Sequence, residues 1–253
     1  MIVFILLILT TLGASIQPTN GEDLRKEIAN PTAAIQLLSF DFASHQNSGP
    51  YNRSEDVLDT HPRYFTKGEN WNLVHHFDIP LVLKPDDVDN NDHFGLGNAA
   101  YRMYVSPSKY KDWAWGMGPA IRASTGATEI FNNNSTAAGI AVSVVYQPVI
   151  FSMGGELVQL WSDRVNETRV HPIVETHLGA KTTLGFLDTI TVDWRAPEGQ
   201  RFTVPMGMEI RQLFRSELDT PVSVSFGVFG DTTRPDNTSD WHWRLRLNIV
   251  NSK

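Results

Sequence analysis

At 253 residues the chain is long enough for one large β domain or two small ones, and its net charge of −7 without any Lys/Arg block argues against a nucleic-acid partner. Charged residues make up 19 %, below the roughly 25 % of an ordinary soluble domain. There is no cysteine, which excludes a disulfide framework, thiol catalysis, Cys-ligated zinc and a lipidated cysteine.

The chain begins MIVFILLILTTLGASIQ. The apolar run 2–12 is shorter than the roughly 20 residues a membrane-spanning helix needs. It matches the apolar region of a signal peptide, and Gly13, Ala14 and Ser15 are small residues of the kind a signal peptidase prefers, although no basic residues precede it. Residues 1–15 are therefore read as a signal peptide. In the next segment, 16–31, Leu24 and Ile28 stand at i, i+4 among charges and Asn30-Pro31 breaks the turn, so a short periplasmic helix is expected.

From 32 to 253 the sequence reads strand, turn, strand, with about twelve segments of roughly ten residues or more. Their alternation is regular. In 113–122, Trp113, Trp115, Met117 and Ile121 oppose Ala114, Gly116, Gly118 and Arg122. In 201–211, Phe202, Val204, Met206, Met208 and Ile210 oppose Thr203, Gly207, Glu209 and Arg211. In 241–250, Trp241, Trp243, Leu245, Leu247 and Ile249 oppose His242, Arg244, Arg246 and Asn248. Tight connections at 67–70, 106–112, 146–149 and 215–221 alternate with longer polar ones at 44–56, 84–93, 124–136, 162–169, 195–200 and 230–240. Alternating short turns and long loops predict an all-β, antiparallel up-and-down transmembrane barrel with both strand ends on the periplasmic side.

Alternation alone does not say which face is inner. Three features favour an apolar exterior. Small residues share a face with charges, as Gly116, Gly118, Gly207 and Gly227 do with Arg122, Glu209 and Arg211. Trp71, Trp113, Trp115, Trp194, Trp241 and Trp243 fall near strand ends on the apolar face, as membrane-interface aromatics do. The polar face mixes Arg, Asp, Glu and His. It supplies the candidate lumen residues Asp41, Arg63, His76, Asp78, Arg102, Arg122, Glu175, His177, Lys181, Asp193, Arg195, Glu209, Arg211, Arg244 and Arg246, with Asp59 and His61 beside them. His75 is the misfit, a histidine that this register points at lipid.

The stretches DLRKEIANPTAAIQLLSFDF, NWNLVHHFDIPLVL, HFGLGNAAYRMYVSPSK, WAWGMGPAI, TVDWRAPEGQRFTVPMGMEI, PVSVSFGV and WHWRLRLNIV keep an order and spacing that resemble an outer-membrane family associated with the meta-pathway of phenol degradation. Its bacterial members are often labelled "transporter" or "neuromedin U". The resemblance runs from about Asp23 to the end and implies a twelve-stranded outer-membrane barrel. The chain departs from many such barrels in ending NSK rather than on an aromatic residue.

Other constellations are weaker. DDVDNND (86–92) lacks the glycine and glutamate that an EF-hand loop needs, since Asp92 and Asn98 stand there. His75 and His76 face opposite sides of a strand, and His171 and His177 are too far apart to share a metal, so no metal site and no cofactor are expected. No GxSxG or lipid-facing Ser–His motif is present, so no enzyme is expected. The expected function is a passive channel in the Gram-negative outer membrane for small solutes, hydrophobic or aromatic ones included, with outer-membrane lipid as its surroundings. Interspersed acids and bases also fit a structural or adhesive barrel whose lumen is shut by ion pairs. A soluble secreted β-barrel binding lipids or glycans is the third reading.

Overall fold

The computed structural model describes residues 21–85, 91–126, 131, 136–215 and 220–251. The signal-peptide segment 1–15 and residues 86–90 of the acidic loop lie outside this set. One helix, α1 (Gly21–Ala29), precedes a single sheet. Its segments are β1 (Gln36–Ser48), β2 (Arg53–Thr66), β3 (Trp71–Pro85), β4 (Asp92–Leu96), β5 (Ala100–Pro107), β6 (Trp113–Arg122), β7 (Ala137–Tyr146), β8 (Phe151–Trp161), β9 (Asn166–Leu178), β10 (Thr182–Phe186), β11 (Ile190–Asp193), β12 (Phe202–Arg215), β13 (Pro221–Thr233) and β14 (Trp241–Asn251).

These segments make twelve staves. β4 and β5 both pair with β3 and form one interrupted stave, and β10 and β11 both lie between β9 and β12 and form another. Every pairing is antiparallel, and β14 pairs with β1 from Gln36↔Asn251 to Gln46↔Trp241, so the barrel is closed. Closure leaves no sheet edge, the condition for strands to cross hydrocarbon without unpaired backbone groups.

The inner and outer faces are those of a membrane barrel. Along β6 the outer Trp113, Trp115, Met117 and Ile121 are 41–59 % exposed, whereas the inner Arg122 is 5 % exposed. On β12, Met206, Met208 and Ile210 are exposed while Glu209 and Arg211 are buried. A soluble barrel has the reverse arrangement, because water solvates charge and a filled interior is apolar. Trp71, Trp194 and Trp241 are also exposed, and Trp243 is partly covered by Phe42 and Phe226. Trp71 packs edge-on against Trp115, and Trp113 lies on Tyr146, at the end that carries both strand termini (the turn end). Trp241 and Trp194 mark the opposite, loop end.

His75 does face outward, and its polarity is accounted for. Its Nδ1 lies 2.8 Å from the Tyr101 hydroxyl and its ring stacks on Tyr64, with Phe77 completing the cluster.

Strand ends depart from the sequence reading at the loop end. The polar stretch 44–56 is mostly strand and 162–169 is half strand, so that only 49–52 and 162–165 turn the chain. Polar residues fit there because the ladder continues past the apolar belt into water.

Candidate functional site: the lumen and its plug

A cavity of about 810 Å3 occupies the lumen. Of the fifteen candidate lumen residues, eleven line it: Asp41, Arg63, His76, Asp78, Arg102, Arg122, Glu175, Glu209, Arg211, Arg244 and Arg246. His177 is buried nearer the turn end, off the cavity wall. Lys181, Asp193 and Arg195 are not on the wall. Lys181 is exposed in the turn after Gly179, and Asp193 and Arg195 are exposed where β11 runs out into the 194–201 loop. At the last residue of β11 the ladder gives way to the loop, and the Asp193 carboxylate accepts from that loop, from Arg195 N at 2.9 Å.

The wall is built on a contrast of side-chain size. β6 and β7 present Ala114, Gly116, Ala120, Ala137, Ala141 and Ser143 to the interior, all buried. Over this low wall long side chains span strands that are not neighbours. Arg102 on β5 reaches Glu156 on β8 (Nε–Oε1 2.9 Å), Tyr104 donates to the same carboxylate, and Arg122 on β6 reaches Glu167 on β9 (2.9 Å). The device recurs on the far side, where β13 shows Ser223, Ser225 and Gly227 inward. There Arg244 on β14 crosses to Glu209 on β12 (2.9 Å) and to Asp188 between β10 and β11 (2.7 Å). Phe229 lies under Arg244, 5.0 Å from its guanidinium, and a Cβ on Gly227 would come within 2.6 Å of the Phe229 ring. Glycine here is space for an inward aromatic.

The remaining charges join these arches into chains. His61 Nδ1 lies 2.8 Å from Asp78, which also accepts from Arg102. Arg246 places Nε and Nη2 on one Asp41 oxygen at 2.8 and 2.6 Å. Arg211 contacts Glu175 at 2.7 Å and Glu209 at 3.3 Å. Buried charges demand such partners, since an uncompensated one costs several kcal/mol, on the order of 3–5.

Asp188 is a lumen residue that the sequence does not single out, and its partner His242 stands on the polar face of 241–250 beside Arg244 without being named a candidate. His242 Nε2 lies 2.9 Å from Asp188 Oδ2, and both are buried. Simple alternation puts Asp188 with Ile190 on the lipid face. Leu187 breaks the period by adopting φ +70°, and the following carboxylate turns inward. A non-glycine residue in this region is strained and is retained where surrounding contacts hold it.

At the turn end the interior is filled by α1 and residues 29–35. Leu24, Ile28, Ala33 and Ile35 bury against Leu37, Leu213 and Val250. Asn30, fully buried, ends the helix: its Oδ1 accepts from Thr32 N and Thr32 Oγ1, both at 2.9 Å, and its Nδ2 donates to the Tyr110 hydroxyl at 3.3 Å. Thr32 packs where a Cβ on Gly116 would meet its Cγ2 at 2.9 Å. The barrel grips this plug through its backbone carbonyls. Arg63 donates to Asn30 O (2.9 Å) and Glu27 O (3.4 Å), and Gln147 donates to Lys26 O (3.0 Å). His76 Nε2 lies 2.7 Å from Pro31 O, and Arg25 of the plug donates outward to Gly179 O. The cavity ends on this plug, at Ile28, Ala29 and Pro31.

Ser152 Oγ lies 2.9 Å from His177 Nε2, but the pair is buried inside the barrel and His177 Nδ1 faces Thr183 at 3.3 Å rather than a carboxylate. No cluster of metal-ligating side chains occurs among the described residues.

No family model and no curated protein sequence matches the chain. Solved structures do. An outer-membrane channel from Pseudomonas putida F1 superposes with a TM-score of 0.61 at 11 % identity, covering 86 % of this chain and 94 % of its own. The NanC porin superposes at 0.53 and 9 % identity, covering 85 % and 98 %. At such identities the likeness shows the fold, and with the apolar exterior it shows that the chain is a transmembrane β-barrel of the outer-membrane type.

Proposed function

We propose that this barrel is a passive outer-membrane channel for small solutes whose periplasmic mouth is closed by its own N-terminal segment. The observation that carries the reading is the lumen cavity of about 810 Å3 that stops on Ile28, Ala29 and Pro31. That volume suits a small molecule. Diffusion through it requires the plug to move, and the wall holds that plug by hydrogen bonds to its backbone carbonyls and by the burial of Leu24, Ile28 and Ile35. The structural likeness to a P. putida channel and to a porin supports the same class. Phe131 on the cavity wall, with Ile28, Ala29 and Leu37 on its floor, together with the resemblance to the phenol-degradation family, favours solutes with an apolar or aromatic body. That both strand termini lie at the plugged end supports placing that end in the periplasm.

The cross-lumen arches Arg102–Glu156 and Arg122–Glu167 favour a second reading, a structural barrel with a permanently shut lumen. Conductance in planar bilayers separates the two. A variant lacking residues 21–30 is expected to conduct about tenfold more than the full chain, in keeping with removal of a plug held by a few kcal/mol of hydrogen bonds. A silent deletion variant establishes the closed barrel instead.

A further inference from the structure

Along the cavity wall the arginines are matched to carboxylates with one exception. Arg102, Arg122, Arg169, Arg211, Arg244 and Arg246 each have a carboxylate oxygen within 3.0 Å. Arg63 has none within 4.0 Å among the described residues and spends its guanidinium on the carbonyls of Asn30 and Glu27. Glu156 offers no substitute, being held by Arg102 and Tyr104. The C-terminal end of a helix carries a partial negative charge, which offsets only part of a full positive one. Arg63 also lines the cavity, on its floor, beside His76.

From this we infer that the cavity floor binds a small organic monocarboxylate, which Arg63 takes in exchange for the plug carbonyls. A guanidinium fork matches a carboxylate with two parallel charge-assisted bonds, roughly twice as strong as bonds to neutral acceptors. One unmatched cation calls for one negative charge, which favours a monocarboxylate over a phosphate. The body that follows the carboxylate meets apolar surface. Leu37 stands directly across from Arg63 in the β1–β2 register, and Ile28, Ala29 and Pro31 complete the floor. The exchange frees Asn30 O and Glu27 O and loosens the hold on the helix end, so the solute unlocks the segment in its path. This last step rests on the plugged-channel reading; binding at Arg63 does not.

The test uses the full chain in a non-carboxylate detergent, with benzoate as the probe, benzyl alcohol as its neutral match and inorganic phosphate as the competing anion. Calorimetry is expected to show benzoate binding weakened at least about tenfold by Arg63→Gln, a loss on the scale of one charge-assisted pair. Lys109→Gln, in an exposed turn, serves as the control and leaves binding unchanged. Electrophoretic heat-modifiability confirms that each variant is a folded barrel, and Arg63→Lys, which keeps the charge, retains part of the affinity should Arg63→Gln fail to fold. Benzoate bound equally by wild type and the folded Arg63→Gln variant, benzyl alcohol bound as tightly as benzoate, or phosphate preferred over both, overturns the assignment. In bilayers, benzoate is expected to raise wild-type opening several-fold and to leave Arg63→Gln, already open, unchanged. If the chain lacking 21–30 is silent, the channel reading falls while calorimetry still decides the site. If it conducts and benzoate binding ignores Arg63, only the site falls.

Discussion

Two staves of the barrel are interrupted, and they are mended in opposite ways. Between β4 and β5, at Gly97–Ala99, neighbouring backbone and loop repair the break. Gly97 N donates to Pro80 O (2.9 Å), Ala123 N to Ala99 O (2.8 Å), and the Thr125 hydroxyl donates to Gly97 O while accepting from Ala99 N, each at 2.8 Å. Between β10 and β11, at 187–189, lumen side chains make the repair. Asp188 turns onto His242 and Arg244, its other role being to accept from Thr189 N at 2.7 Å, and the Thr189 hydroxyl meets His171 at 3.0 Å. The first break is local turn chemistry. The second is stabilised by charges more than fifty residues away in sequence. Loss of a distant charge should therefore cost far more than loss of a nearby hydroxyl.

Three substitutions sharpen that contrast. Asp188→Ala takes one of two close carboxylates from Arg244, which keeps Glu209, and the partner from His242, and is expected to lower barrel stability by about 2–3 kcal/mol, measured by urea unfolding in liposomes; a loss below about 1 kcal/mol means the 187–189 break is self-sufficient. Thr125→Val removes two hydrogen bonds at the edge of the membrane and is expected to cost about 1 kcal/mol, with faster amide exchange confined to 97–99 and 123–125. Exchange spreading to β10 and β11 contradicts the independence of the two breaks. Leu187→Gly relieves the left-handed conformation but removes a side chain from the cavity wall, so the expected change is small, within about 1 kcal/mol of wild type.

The same contrast separates what is legible in the sequence from what is not. The first break carries its own punctuation, Gly97-Asn98, although the stretch around it also reads as one strand. The second, Phe186-Leu187-Asp188-Thr189, has no glycine or proline, and strict alternation sends Asp188 toward lipid. The charges that draw it inward, on β14, are invisible to any local pattern. Alternation assigns the right faces wherever the ladder is regular, as on β6 and β14, because there a period of two is the geometry itself. It puts on the lumen wall Lys181 and Arg195, which sit in turns, and Asp193, the exposed last residue of β11. Asn30 is readable as a helix stop from Asn-Pro, but its part in pinning the plug depends on Tyr110 and Arg63, which only the closed barrel brings near.

The plug's contacts have a consequence for assembly. α1 and the residues after it touch β1 through Leu37, β2 through Arg63, β3 through His76, the β7–β8 turn through Gln147, the β9–β10 turn through Gly179, β12 through Leu213 and β14 through Val250. The plug precedes β1 directly, and β1 forms the closing seam with β14. The seated plug therefore meets both strands of the seam in one apolar cluster, through Leu37 and Val250. The N-terminal segment is placed to serve as an internal mandrel for the staves, and a barrel without it relies on the strand ladder alone to hold its circumference.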